Sequence, residues 1–312
     1  MGTDHNAVWV VAEQIDCHLQ SVSLQLTRQA RKLADQLGTS VEAILLGDNI
    51  EDAPRQLIAA GADRVYLGNS PELEVYQPEP YTEIVVNLAR EHRPEIILIG
   101  STDMGRELAL LVAARLKTGL TAHCIDFVLD KEMILEQRIP AYGGLLSIIC
   151  PQKRPQMATA AKGVFPTPET DDSRSGETVV IDIPADLPGR VKTLEIIREE
   201  PEGVPLETAS TIVAGGAGAG DNDGWKEISE LAATLNAALG STRPAVDEGW
   251  TELETMIGQS GKMVSPDLDM GVGLSGEQQH MVGIVGARVM IAMNNDAKSP
   301  IFEQVVFGVV ED

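Results

Sequence analysis

Three short segments of this chain combine small residues with polar side chains in a way that suits an anionic, ring-bearing ligand. The first, Ala214-Gly-Gly-Ala-Gly-Ala-Gly220, follows an apolar run and precedes a helical period, so backbone N–H groups and a helix start can approach a phosphate there. Its glycines lack the spacing of a dinucleotide fingerprint, which leaves a merely tight turn open as an alternative. The second, Gly258-Gln-Ser-Gly-Lys262, looks like the end of a phosphate loop without the required upstream spacing, and so speaks against a nucleotide triphosphatase. Ser260 offers a hydroxyl to a ring nitrogen or carbonyl, unless it is simply an exposed serine. In the third, Leu274-Ser-Gly-Glu-Gln-Gln-His280, a strand ends at a Ser-Gly turn and a helix begins, leaving free N–H donors beside polar side chains. His280 is either a ligand contact or a hydrogen-bonded structural histidine, and no Ser–His–acid triad is spelled out near it.

Such turns act together only if one sheet brings them together. Apolar runs at Ala7–Ala12, Val41–Leu46, Arg64–Leu67 and Glu95–Gly100 read as buried parallel strands. Helical periods separate them at Ser21–Leu37, Asp52–Ala60, Tyr81–Glu91 and Asp103–Leu116; in the first, Leu26, Ala30, Leu33 and Leu37 share a face and Gly38 stops the helix. Extra strands are expected at Ile125–Leu129, Met133–Gln137, Leu146–Cys150 and Met157–Ala160, as a β portion appended to the first domain. The polar stretch Pro166–Glu177 reads as a long exposed loop, and the Pro- and Gly-bearing break Glu199–Glu207 as the domain boundary, giving domains 1–198 and 199–312. The rhythm then restarts with a strand at Thr211–Ala214, a helix at Asp223–Leu239 with its stripe at Ile228, Leu231, Leu235 and Leu239, and strands at Met270–Leu274 and Val289–Met293. The fold class is α/β, in two domains. Turns at the C-terminal ends of strands in one parallel sheet converge on one crevice, which suits an extended ligand with a phosphate-bearing middle, such as a dinucleotide.

Composition narrows the partners. Acidic residues outnumber basic ones 47 to 24, which argues against nucleic acid, since polyanions bind through clustered Lys and Arg. Cys17, Cys124 and Cys150 form no CxxC pair, and no His stands at ligand spacing, so neither a zinc site nor a disulfide framework is expected. With no secretory leader pattern and no apolar run long enough for a membrane span, the expected location is cytoplasmic.

The motifs in their order resemble the alpha subunit of electron transfer flavoproteins. The resemblance is carried by Gly215-Gly-Ala-Gly, Ser241-Thr-Arg-Pro-Ala-Val-Asp247, Gly258-Gln-Ser-Gly-Lys262, Leu274-Ser-Gly-Glu-Gln-Gln-His280, Ile291-Ala-Met-Asn-Asn-Asp296 and Pro300-Ile-Phe302. In the first domain it rests on Gly105-Arg106, Ala113-Ala-Arg-Leu-Lys-Thr-Gly-Leu-Thr-Ala122 and Arg154-Pro-Gln-Met-Ala-Thr159. It implies an N-terminal adenine-nucleotide-hydrolase-like parallel-sheet domain that packs on a beta subunit, and a C-terminal Rossmann-like FAD-binding domain. It further implies that Arg243 lies beside the flavin, Ser260 near its N5 and His280 near its O2 side. Thr242, Ile257, Gly258, Gln259, Ser275, Gly276, Glu277, Gln278, Gln279, Asn294 and Asp312 would complete the FAD contacts.

The implied function is electron transfer from dehydrogenases, such as acyl-CoA dehydrogenases, to a quinone-linked acceptor. Two alternatives stand beside it: an electron-bifurcating complex coupling NADH oxidation to ferredoxin reduction, and a non-redox nucleotide-binding paralogue. The family's Gly-Gly-Arg-Gly reads Gly215-Gly-Ala-Gly here, so Ala217 replaces an arginine associated with FAD; the loss should cost about 1.5–3 kcal/mol of binding unless another cation substitutes. Two further departures, Ile139-Pro-Ala-Tyr-Gly-Gly-Leu145 and Met157-Ala-Thr-Ala-Ala161, also lose groups common in the family.

Overall fold

Two compact units make up the protein, Met1–Ala161 with Phe165–Ile196, and Lys162–Val164 with Ile197–Asp312. The computed structural model describes residues 6–141, 144–166, 169–184, 186–191, 193–197, 203–284 and 286–311. The domain boundary expected between residues 198 and 199 falls outside them.

The first unit carries β1 (Val8–Ala12), the two-residue strands β2 (Gln14–Ile15) and β3 (His18–Leu19), α1 (Ser21–Leu37), β4 (Val41–Gly47), α2 (Ala53–Ala60), β5 (Arg64–Asn69), α3 (Pro78–His92), β6 (Ile96–Gly100) and α4 (Asp103–Leu116). After α4 come β7 (Leu120–Cys124), β8 (Asp126–Leu129), β9 (Leu135–Ala141), β10 (Gly144–Ile149), β11 (Gln156–Ala160) and β12 (Glu177–Val180). Seven parallel strands form its sheet in the order β12-β5-β4-β1-β6-β11-β7, and β8, β9 and β10 form a separate antiparallel sheet. Alternation along β1 explains the layering. Val8 and Val10 pack with Leu26 and Leu33 of α1 and Leu57 of α2, while Trp9 and Val11 pack with Val85 of α3 and Val112 of α4. Both faces are covered, so β1, β4 and β6 are buried from end to end.

Three expectations change in this unit. Met157–Ala160 belongs to β11, inside the main sheet between β6 and β7, and is not part of the appended β portion. The polar stretch ends in an edge strand, β12, whose Glu177–Val180 pairs in parallel with Arg64–Leu67 of β5. Four mostly exposed residues are too few to show a period, so only tertiary pairing reveals them. β7, likewise, was not expected as a strand; it lies in the run of small and polar residues after α4.

The second unit carries β13 (Thr211–Gly215), α5 (Asn222–Thr234), β14 (Ala238–Ser241), α6 (Arg243–Asp247), β15 (Leu268–Val272), α7 (Gln278–Met281), β16 (Val289–Met293) and β17 (Phe307–Val309). Its five parallel strands run in the order β14-β13-β15-β16-β17. Trp225 and Ile228 of α5 cover one face against Val213, with Met270 and Val272 packed alongside. The other face, with Ile212, Ala214 and Ala292, is covered by Ile257, Val264, Leu274 and Ile301, which come from turns rather than from a long helix.

The helix expected to reach Leu239 stops at Thr234. Asn236 takes a left-handed conformation (φ 50°), which ends the helix, and Leu239 then lies in β14 opposite Val213. The apolar spacing continued through the break and disguised it. Among the described residues no helix is long and apolar enough to cross a membrane.

Candidate functional site

The order of the second sheet fixes where a ligand can lie. β13 sits between β14 and β15, so the turns that leave these strands at their C-terminal ends face one another across a crevice. A cavity of about 590 Å³ opens there. It is lined by Gly216, Ala217 and Gly218 after β13, by Thr242, Arg243 and Pro244 after β14, and by Gly273, Leu274, Ser275, Gly276 and Glu277 after β15. Met256, Ile257, Gly258, Gln259, Ser260, Gln279, His280, Asn294, Asp296 and Ser299 complete the wall.

The glycines in these turns are dictated by backbone approach. A Cβ on Gly218 would stand 2.6 Å from the Gly273 Cα, and the Gly218 N–H donates to the Gly273 carbonyl at 3.0 Å. Gly276 has a φ of +79°, and a Cβ there would meet the Ile301 backbone at 2.5 Å. The two turns thus press together and leave backbone as the cavity floor.

Two polar atoms are buried in this wall without a hydrogen-bond partner, Thr242 Oγ1 and His280 Nε2. Thr242 occupies the N-cap position of α6, yet its hydroxyl makes no cap bond. His280 is 6% exposed, and its Nδ1 lies 3.0 Å from the Ile257 carbonyl. A carbonyl only accepts, so Nδ1 carries the proton and the neutral ring leaves Nε2 as an acceptor. Burial pushes the His280 pKa below the ordinary imidazole value, with the Ile257 bond acting in the opposite direction, which favours that neutral form. Buried orphan groups are rare and call for a partner, and a polar ligand in the cavity would supply one. The donor set, backbone floor and orphan atoms therefore fit a flavin dinucleotide.

Other side chains are already committed. Asn294 donates to the Leu274 carbonyl at 2.7 Å and accepts from the Asp296 N–H at 2.9 Å, so it organises the turn. Ser299 donates to the Ser275 carbonyl at 3.0 Å. Lys262, the cation of the second motif, donates to Glu207 at 3.2 Å and is absent from the cavity wall. Asp221 N-caps α5, accepting from the Asp223 and Gly224 N–H groups at 2.9 and 3.0 Å. The helix start after the glycine turn is thus closed by its own carboxylate, contrary to the expectation that it would face a phosphate. Phosphates in this cavity would meet the turns themselves.

Twelve of the expected contact residues, Thr242, Arg243, Ile257, Gly258, Gln259, Ser260, Ser275, Gly276, Glu277, Gln279, His280 and Asn294, line this one cavity. Gln278 does not, and Asp312 lies outside the described residues. Met256, Gly273 and Ser299 were missed as lining residues, whereas Gly216, Ala217, Gly218, Pro244, Leu274 and Asp296 lay within the motifs without being named as contacts.

At the same edge of the first sheet the glycines meet a side chain of the protein itself. Glu13 is 4% exposed after β1, and a Cβ on Gly100 or Gly105 would meet its Oε1 at 2.7 Å. Tyr81 closes the neighbouring space, donating to the Leu73 carbonyl at 2.8 Å. A separate hollow of about 430 Å³ in this unit, between α3 and residues 179–187, has Tyr66 in its wall, with the phenol bonded to Glu42 at 3.1 Å.

Comparison with known proteins finds matches in both units. Residues 8–186 match the family described as "Electron transfer flavoprotein domain", and residues 205–285 match "Electron transfer flavoprotein FAD-binding domain". The chain is 41% identical over 314 residues to an electron transfer flavoprotein subunit alpha of Thermoanaerobacterium thermosaccharolyticum, covering 99% of this chain and 94% of that protein. It is 40% identical over 315 residues to a protein FixB of Clostridium saccharobutylicum, covering 99% and 93%. With subunit LctC of the lactate dehydrogenase (NAD(+),ferredoxin) of Acetobacterium woodii it shares 35% identity over 311 residues, covering 99% and 74%.

Proposed function

The chain belongs to the electron transfer flavoprotein alpha-subunit family and carries its FAD-binding domain, and from that premise we propose that FAD lies in the cavity at the C-terminal edge of the second sheet. The observation that carries this reading is the pair of buried, unpartnered atoms, Thr242 Oγ1 and His280 Nε2, in the wall of that cavity. When bound, FAD supplies reversible electron chemistry, and the protein supplies binding, orientation and electrostatics. Thr242 donates a hydrogen bond to a ligand acceptor, and neutral His280 accepts one from a ligand N–H at Nε2. Arg243, 69% exposed at the rim, presents a fixed positive charge, and Ser260 a hydroxyl. Gly216, Gly218 and Gly276 let the turns of the cavity wall pack backbone to backbone where a side chain would force them apart.

As an electron transfer flavoprotein alpha subunit, the chain pairs with a beta subunit in this reading. It takes electrons from a dehydrogenase, such as an acyl-CoA dehydrogenase, and delivers them to a quinone-linked acceptor in the cytoplasm. Co-expression with its beta subunit is expected to give a yellow heterodimer whose flavin is reversibly reduced by a dehydrogenase. A colourless heterodimer under FAD-replete conditions would overturn the reading, and bound flavin without reversible reduction would leave a non-redox paralogue.

The likeness to a lactate dehydrogenase (NAD(+),ferredoxin) subunit favours a second reading, a bifurcating complex that oxidises NADH and reduces ferredoxin. Flavin stoichiometry separates the two. Two FAD per heterodimer with NADH oxidation supports bifurcation, and one FAD with AMP supports simple transfer.

A further inference from the structure

FAD carries a dianionic pyrophosphate, the kind of group that Lys and Arg bind through charge-assisted hydrogen bonds. This cavity offers few such cations. Among the described residues in its wall, Arg243 is the single Lys or Arg, and its Nε is engaged by Asp247 at 3.3 Å. The wall also holds two carboxylates, Glu277 and Asp296. Ala217 occupies the glycine turn without charge, Lys262 is turned to Glu207, and buried His280 is held toward its neutral form.

The two carboxylates differ in what else they do. Asp296 accepts from the Lys298 N–H at 2.9 Å and so shapes the loop that carries it. Glu277 precedes α7, makes no cap bond with its side chain, and forms no hydrogen bond or ion pair from its carboxylate with any described residue. Only its carbonyl is used, accepting from the His280 and Met281 N–H groups at 3.0 and 3.1 Å. The Glu277 carboxylate is thus an exposed charge in the cavity wall that the fold itself does not use.

We propose that Glu277 is an affinity-setting residue, whose negative charge opposes the FAD pyrophosphate and keeps the cofactor more weakly held than the shape of the cavity would allow. The proposal rests on the reading of this cavity as the FAD site. Repulsion across solvent-lined space is screened by salt, so retention of FAD should improve as ionic strength rises, the reverse of a site built from Lys and Arg.

The test is titration of FAD into the deflavinated heterodimer, followed by flavin fluorescence at low salt and at about 0.2 M salt. Glu277→Gln should lower the FAD Kd roughly three- to tenfold at low salt, and Glu277→Ala should do the same. Wild type should bind more tightly in the higher salt, with the dependence reduced in both variants. Glu227→Gln, on the exposed side of α5 and outside the cavity, changes net charge equally and should leave the Kd unaltered. Unchanged or weaker binding in both Glu277 variants, or wild-type binding weakened by salt, would overturn the proposal while leaving the site intact. If none of the proteins binds FAD, the site assignment itself fails.

Discussion

The two parallel sheets of this chain are built alike and end differently. In the first unit, at the C-terminal edge of the central strands, Glu13 and Tyr81 are buried and the glycines Gly100 and Gly105 make room for a protein carboxylate. In the second unit the same edge is lined by Gly216, Gly218, Gly273 and Gly276, which let the turns pack backbone to backbone beside an open cavity. An α/β sheet supplies a crevice wherever strand order reverses, and the side chains at strand ends decide whether it is a site or part of the core. Covering layers follow the same logic. Long helices pack both faces of the first sheet, whereas one face of the second is covered by turns that bring polar groups to the cavity.

The sharpest way to break this comparison is to put a β-branched side chain into each crevice. Gly218→Val should abolish FAD retention, because its Cβ would stand 2.6 Å from the Gly273 Cα with only backbone to yield. Gly105→Val crowds the Gly100 carbonyl and should lower the stability of the first unit while leaving flavin per folded protein unchanged. Equal flavin loss in the two would contradict the division of labour.

A smaller effect is expected at two buried acids. Glu42 in the first unit accepts from Trp9 Nε1 at 2.9 Å and from the Tyr66 hydroxyl at 3.1 Å, and pairs with Arg64 at 3.1 Å. Asp269, on β15, is 1% exposed with Oδ1 unpartnered, and burial pushes its pKa from 3.8 up to about 7. The folded state therefore holds a proton that the unfolded state releases. The stability from this group is full below pH 3.8, falls as pH rises toward about 7, and is gone above it. Asp269→Asn should stabilise the second unit by about 2–3 kcal/mol at pH 8 and progressively less toward pH 5, read from denaturant unfolding. Glu42→Gln should have the opposite sign, a loss of about 1–3 kcal/mol, because it weakens bonds to groups that stay buried. A destabilised Asp269→Asn protein at pH 8 would refute the assignment of Asp269 as an unpaired acid.

The smallest expected effect is at Thr242. Thr242→Val keeps the shape and removes the orphan hydroxyl, so the FAD Kd should rise by roughly three- to tenfold in a fluorescence titration, without loss of fold. No change would mean that the hydroxyl meets water rather than ligand.

Much of this architecture was legible from spacing. α1 runs from Ser21 to Leu37 as its apolar stripe and Gly38 require, because one helical face meets one sheet face. α5 was misread past Thr234 because Leu235 and Leu239 kept the period, while the αL turn at Asn236 left no mark in hydrophobicity. The cavity turns were legible because glycines and polar residues cluster at strand ends. Ser299 was not, since it reaches the wall through a bond to Ser275 across the fold. The Asp221 cap reverses the reading of the helix start, and it depends on which way one carboxylate turns.

In the proposed assignment FAD occupies the second unit's crevice and not the first's. Histidine side-chain nitrogen NMR on the heterodimer, deflavinated and then FAD-loaded, addresses it directly, because His280 lines the second unit's cavity and His123 lies on β7 of the first sheet. His280 lines the cavity with its Nε2 buried and unpartnered, and His123 is bonded through Nδ1 to the Ser101 hydroxyl at 3.1 Å. On loading, the His280 Nε2 resonance should shift as it accepts a ligand proton, with His123 unmoved. A shift at His123 with His280 unchanged would contradict the account.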